Sequence, residues 1–246
     1  MYQFFVETNQ VAGDKICILG SDVNHIKNVL RMKPNTRVRI SAGGRSYFGA
    51  IESITDTEVW VIIEEEDTIG TELSNRIYLF QGLPKGDKME LIIQKAVELG
   101  VYEIIPVAMK NCVTKLDDKK AESKVKRWQA ISESAAKQSK RTVIPEIAMP
   151  LNWKNALEKA KELDIVLVPY ENERGMEATR EIMKGIAPGQ RIGIFIGPEG
   201  GFAPEEIAMI QEDERKFHTL SLGRRILRTE TAGLTTLSML VFCLDE

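Results

Sequence analysis

Residues 192–202 read Ile192-Gly193-Ile194-Phe195-Ile196-Gly197-Pro198-Glu199-Gly200-Gly201-Phe202, a short apolar, β-favouring run that breaks on a glycine-rich turn. Such a run reads as a buried parallel strand. Behind the turn, Ala203-Pro204-Glu205-Glu206 puts proline at the first helical position with acids after it, which predicts a helix start. The pattern then recurs. Phe217-His218-Thr219-Leu220-Ser221 is a second short strand, and Leu222-Gly223-Arg224-Arg225-Ile226-Leu227-Arg228 is a second turn; Thr229 can cap a helix that carries Glu230 in its first turn. Two turns at the carboxyl ends of neighbouring strands would share one crevice, the usual ligand position of an open α/β sheet.

Working back from there, the texture from Arg76 onward alternates strands with helices, which predicts an α/β domain with a mainly parallel sheet. Strands are expected at residues 77–81, 102–107 and 165–168. Asp87 with Glu90 reads as a capping box, Asn152 as a further helix cap, and residues 119–139 as a long amphipathic helix with Trp128, Ile131 and Ala135 on one face. Residues 1–72 differ: strand candidates at 15–19, 37–41, 47–54 and 58–64, interrupted by one helix around Val23 to Leu30, read as a small β-barrel. A polar stretch from Glu64 to Asn75 marks the boundary, giving domains at 1–72 and 74–246.

Composition narrows the class without deciding it. The 246 residues are 43% hydrophobic and 28% charged, with no run long enough for a membrane span and no basic leader, so a cytoplasmic protein is expected. Three scattered cysteines and two histidines predict neither a disulfide framework nor a metal site. Charge is blocked. Residues 15–45 hold seven Lys/Arg against one acid, residues 51–72 eight acids and no base, and residues 110–141 ten Lys/Arg against four acids. Two basic blocks in a chain of net charge −3 point to a polyanion touched by part of the surface, while solvated helix faces account for each block equally well.

The glycine turns admit close backbone approach to a ligand, although an ordinary tight βα turn fits as well. Neither turn is a Walker A or a G-x-G-x-x-G sequence, and Glu199 would repel a phosphate there, so a ligand with a cationic or neutral centre fits better. Arg224, Arg225 and Arg228 suit RNA or a phosphate, or pairing with a local acid such as Glu230. His25 reads as a surface helix residue, His218 as strand packing, and Cys112 as inert.

Five stretches carry a family resemblance: residues 25–31 with Val29-Leu30-Arg31; Leu83-Pro84-Lys85-Gly86-Asp87-Lys88 with Gln94-Lys95 and Glu98-Leu99-Gly100; Arg127-Trp128 with Ala135-Ala136-Lys137-Gln138-Ser139; Ile196-Gly197-Pro198-Glu199-Gly200-Gly201; and residues 222–232. Together they resemble the RsmE family, small-subunit (16S) ribosomal RNA uridine N3-methyltransferases of the SPOUT superfamily. The resemblance implies a PUA-like N-terminal barrel and a SPOUT-type C-terminal α/β domain with a deep trefoil knot. It further implies S-adenosylmethionine as cofactor, ribosomal RNA or the small ribosomal subunit as partner, and a homodimer built on the C-terminal helix, with neither membrane nor metal. The implied cofactor residues are Leu167, Pro169, Tyr170, Glu171, Ile196, Gly197, Pro198, Glu199, Gly200, Gly201, Leu222, Gly223, Ile226, Leu227, Thr231 and Ala232. Arg228 is the candidate for stabilising the uridine anion or gripping its phosphate, with Glu230 orienting it. His25, Arg31, Lys33, Lys85, Lys137, Lys140, Arg141 and Arg225 are the candidate RNA contacts. Against the family pattern two departures stand out: Asn24, where relatives often carry Arg, and Lys110-Asn111-Cys112 in place of a Glu-Arg-Ser-like run. Ribose 2′-O-methylation, or a non-catalytic ribosome-assembly module, are the competing readings.

Overall fold

The computed structural model describes residues 1–173, 175–213 and 215–245. They form two compact units, Met1–Glu72 with Ala136–Ile144, and Leu73–Ala135 with Pro145–Glu246.

In the first unit, alternating apolar residues build a six-stranded sheet from β1 (Tyr2–Val6), β2 (Val11–Ala12), β3 (Lys15–Leu19), β4 (Arg37–Ala42), β5 (Arg45–Ile54) and β6 (Glu58–Asp67). The order is β1-β4-β5-β6-β3-β2, antiparallel except for β1 on β4. Register shifts at Phe48/Gly49 and Ile51/Ser53 bend β5 against β6. A side chain at Gly49 would stand 2.4 Å from the Ile62 carbonyl oxygen, so the bend needs glycine there. Phe4, Ile16, Ile18, Ile40, Ile51 and Val61 fill the interior together with Val23 and Ile26. Val23 comes from α1 (Ser21–Asn24), which starts after Gly20, and Ile26 from the π turn over His25–Val29 that continues it.

Pairing explains most of the charge blocks. Five of the seven bases in residues 15–45 meet acids of residues 51–72: Lys15 with Glu52, Lys27 with Asp56, Arg37 with Glu64, Arg39 with Asp67 and Arg45 with Glu66. Four of these pairs join strand residues, and opposite charges facing each other across a sheet favour its register; Lys27 instead ties the π turn to Asp56 in the turn between β5 and β6. The segment Ala136–Ile144 is tied to the same unit by a buried pair. The Arg141 side chain, 3% exposed, donates through Nε to both Glu72 carboxylate oxygens at 3.0 and 2.8 Å. Removing the carboxylate from a buried guanidinium is costly, so Glu72→Ala should lower unfolding stability by about 2–3 kcal/mol in urea titration.

The second unit contains β7 (Arg76–Gly82), α2 (Lys88–Glu98), β8 (Glu103–Ala108), α3 (Asp118–Ser139), β9 (Glu146–Ile147), β10 (Leu151–Asn152), α4 (Trp153–Ala160), β11 (Ile165–Pro169), α5 (Glu177–Lys184), β12 (Arg191–Ile196), α6 (Pro204–Gln211), β13 (Phe217–Leu220) and α7 (Thr229–Leu244). The last turn of α3, from Ala136, belongs to the first unit. The sheet runs β10-β8-β7-β12-β11-β13 with β9 beside β8, and every pairing is parallel. The apolar run at β12 is central and almost wholly buried, as its composition predicts. Phe80 of β7 stacks on Phe195 of β12, with ring centroids 4.3 Å apart.

The helix caps differ from expectation more than the strands do. Asn152 does cap α4, accepting from Asn155 N at 2.9 Å, and Pro204 does open α6. Asp87 makes no side-chain cap, and Glu90 turns instead to Arg127 at 2.9 Å, because an arginine on the neighbouring α3 outcompetes the backbone. Thr229 caps nothing, since Arg228 holds the cap position of α7.

Candidate active site

The sheet order places three turns side by side. The two glycine-bearing turns follow β12 and β13, which are not neighbours: β11 lies between them, and its own terminal Pro169 leads into Tyr170 and Glu171. The crevice is therefore built from the carboxyl ends of three consecutive parallel strands, which lets one ligand touch all three turns. Leu167 lies within β11 and Ile196 ends β12, whereas Leu222, Gly223, Ile226 and Leu227 lie between β13 and α7. Thr231 and Ala232 are in the first turn of α7. The segments are cross-braced: Tyr170 N donates to Leu220 O at 3.0 Å, and Thr179 of α5 both donates to Ser221 O at 2.9 Å and accepts from Ser221 N at 3.1 Å.

The turn after β12 uses its glycines mainly for itself. A side chain at Gly197 would stand 3.1 Å from the Gly201 carbonyl carbon, and one at Gly200 would stand 3.0 Å from Asn111 Cβ. Gly82 at the end of β7 is a further contributor. Its missing Cβ would fall 2.7 Å from Pro198 N, so two backbones pass there in direct contact. Gly223 is different, with φ of 106° and nothing within 4 Å of its Cβ position. Space therefore lies open beside the backbone of the third turn.

Glu199 does not face the crevice as a free charge. Its carboxylate accepts from Lys85 N at 3.1 Å and from Lys88 Nζ at 2.7 Å. Burial pushes its titration up, but the Lys88 ammonium and backbone N–H donors outweigh that and hold it below the usual carboxylate range. This pair anchors the turn after β12 to the loop after β7, which sequence spacing could not reveal.

Thr229 joins the same brace. Its hydroxyl donates to Gly197 O at 2.7 Å and accepts from Nε2 of the fully buried Gln81 at 2.9 Å. The start of α7 is thereby fixed to the glycine turn. Next to it, Arg228 is exposed, and no Arg228–Glu230 ion pair forms among the described residues. Glu230 leans toward Lys88 instead, its Oε2 3.7 Å from Nζ and buried without a hydrogen bond. The expected orientation of Arg228 by Glu230 gives way to a nearer cation.

The candidate RNA contacts divide between the units. In the first, His25, Arg31 and Lys33 are exposed, with no carboxylate paired to them among the described residues. Lys137 pairs with Asp22 at 3.1 Å, and Lys140, in a left-handed conformation with φ of 64°, donates to Met1 O at 2.9 Å. Arg141 is withdrawn from the set, because its side chain is buried on Glu72. In the second unit, Lys85 and Arg225 are exposed in the loops after β7 and β13. Burial pushes the Cys112 thiol up, which keeps it protonated and fits the inert reading. Among the described residues there is no cluster of three metal-ligating side chains and no helix long and apolar enough to cross a membrane.

Comparison with known proteins agrees with this architecture. Residues 71–241 match the family model of an RNA methyltransferase domain, and residues 18–64 that of an RNA methyltransferase PUA domain. The chain is 34% identical to ribosomal RNA small subunit methyltransferase E of Bacillus subtilis, over 98% of this chain and 96% of that one. It is 35% identical to the protein of the same name from Mesomycoplasma hyopneumoniae, over 97% and 98%. The crystal structure of ribosomal RNA small subunit methyltransferase E from Neisseria gonorrhoeae, bound to S-adenosylmethionine, superposes with a TM-score of 0.83 at 30% identity, covering 99% of this chain and 98% of that one. A chain that matches such relatives end to end, with the methyltransferase and PUA models falling on its two textures, belongs to the ribosomal RNA small subunit methyltransferase E family.

Proposed function

We propose that this chain methylates N3 of a uridine in small-subunit ribosomal RNA, using S-adenosylmethionine held by the turns after β11, β12 and β13. The carrying observation is the convergence of those turns at three consecutive strand ends, in a family member. The residues fit the cofactor: open space against Gly223 offers backbone contact, and the neutralised Glu199 leaves no bare carboxylate. Residues 167–171, 196–201 and 222–227, with Thr231 and Ala232, would hold it. The trefoil knot belongs to the same reading, as the family resemblance implies.

When bound, S-adenosylmethionine supplies an electrophilic methyl group on a sulfonium. The protein's share is alignment, and its braced turns are already fixed for it. Arg228, exposed at the head of α7, stabilises the negative charge of a deprotonated uridine. Glu230 and Lys88 hold the local charge balance beside it. The target base leaves its stack to reach this crevice. Incubating the protein with small ribosomal subunits and labelled cofactor tests the reading, and label should appear in the RNA.

RNA affinity in the first unit rests on fewer cations than the charge blocks imply. Arg31 and Lys33 carry it, and replacing both with alanine should reduce the log-log salt slope of RNA binding by about 1.4, at roughly 0.7 per phosphate on single strands. Replacing Lys15 and Arg37, which are paired within the sheet, should change the slope less.

The homodimer belongs to this proposal too. Thr231, Leu234, Thr235, Ser238, Met239 and Phe242 line an open groove along α7, and Phe242 is 89% exposed. A helix apolar on its outer side needs cover, and a second copy laid along α7 provides it beside Thr231 and Ala232. Sedimentation at low micromolar concentration should give a dimer, and Met239→Glu should split it by placing a charge in that contact.

A further inference from the structure

The loop after β8 carries Lys110-Asn111-Cys112, and the structure gives Asn111 work at the glycine turn. Asn111 Nδ2 donates to Gly200 O at 3.0 Å and to Gly201 O at 3.3 Å. The amide orientation follows from chemistry, because both acceptors are carbonyl oxygens and only the NH2 end can face them. The loop that carries it is itself fixed. Lys110 N donates to Glu206 Oε1 at 2.8 Å, Lys110 Nζ pairs with Glu205, Cys112 N donates to Met109 O at 3.1 Å, and Thr114 Oγ1 donates to Pro84 O at 2.9 Å.

We propose that Asn111 is a positioning residue that sets the shape of the turn at residues 197–202. The inference rests on the reading of that turn as a cofactor holder. A trans peptide is planar, so a carbonyl held on one side sends the following N–H to the other. With Gly200 O drawn to Asn111, Gly201 N–H points back into the turn, where it donates to Pro198 O at 2.9 Å. With Gly201 O drawn the same way, the Phe202 peptide is fixed as well. The close fit of Gly200 against Asn111 Cβ belongs to this arrangement, since any side chain at residue 200 would push the amide off both carbonyls. Asn111 thus shapes the turn without touching the reacting atoms.

The test is calorimetry with S-adenosylmethionine, and steady-state kinetics, on the full chain, Asn111→Ala and Asn111→Asp. Asn111 is exposed, so neither change threatens the core. Alanine removes two neutral hydrogen bonds at a wet site, which predicts affinity about fivefold weaker. Aspartate keeps the shape but turns a carboxylate toward two carbonyl oxygens, which predicts about twentyfold. KM for the cofactor should rise in step, while kcat at saturation, KM for RNA and the melting temperature stay put. If the unmodified chain binds cofactor and both variants bind within twofold of it, or if kcat falls while KM holds, the role of Asn111 is overturned. If the unmodified chain does not bind S-adenosylmethionine, the underlying functional reading fails instead.

Discussion

Gly197→Val should weaken S-adenosylmethionine binding by about 100-fold or more while the protein stays folded. A first side-chain atom at Gly197 would stand 3.1 Å from Gly201 C and 3.3 Å from Phe202 N, and valine adds two methyl groups to that contact. Backbone cannot yield as the tip of a long side chain does, so the turn must open. Its carbonyl at Gly197 is also the acceptor for Thr229, so opening carries the head of α7 with it. A turn displaced from the ligand forfeits two or three backbone hydrogen bonds, about 2.7 kcal/mol or two decades of affinity. Titration calorimetry reads the affinity, and urea unfolding shows whether the variant is folded. Unchanged affinity in a folded variant would remove this turn from the site.

Arg228→Ala should lower kcat by roughly 100-fold and leave KM for S-adenosylmethionine nearly unchanged, the signature of a donor needed where charge develops. The contrast with Glu230 is informative. Because Glu230 lies toward Lys88 rather than Arg228, Glu230→Gln should lower kcat less than Arg228→Ala does. Equal losses would show that the carboxylate acts through Arg228 after all.

What the sequence discloses, and what it hides, follows from range. Strand-turn-helix order is local, so β12 with its glycine turn and Pro204 at the start of α6 are legible from adjacent residues. Parallel neighbours are not local. Nothing in residues 192–230 tells that β11, from earlier in the chain, separates β12 from β13 and adds a third turn to the crevice. Charge blocks mislead for the same reason, since Arg37 and Glu64 become partners only once the sheet register is set. Glu199 looks like a bare carboxylate until Lys88, a distant residue, is placed against it. Gly82 and Asn111 meet the turn after β12 through direct contacts from distant parts of the chain, which no spacing rule encodes. The family resemblance supplies the assembled picture, and the geometry supplies reasons for its individual residues.

The position of the transferred methyl group tests the proposed activity most directly. Small-subunit RNA from a strain lacking this protein, incubated with the purified protein and S-adenosylmethionine and then digested to nucleosides, can be read by mass spectrometry. One new modified nucleoside is expected, uridine methylated on N3 of the base. A methyl group on a ribose 2′-oxygen, or no methylation of RNA by protein that binds the cofactor, would contradict it.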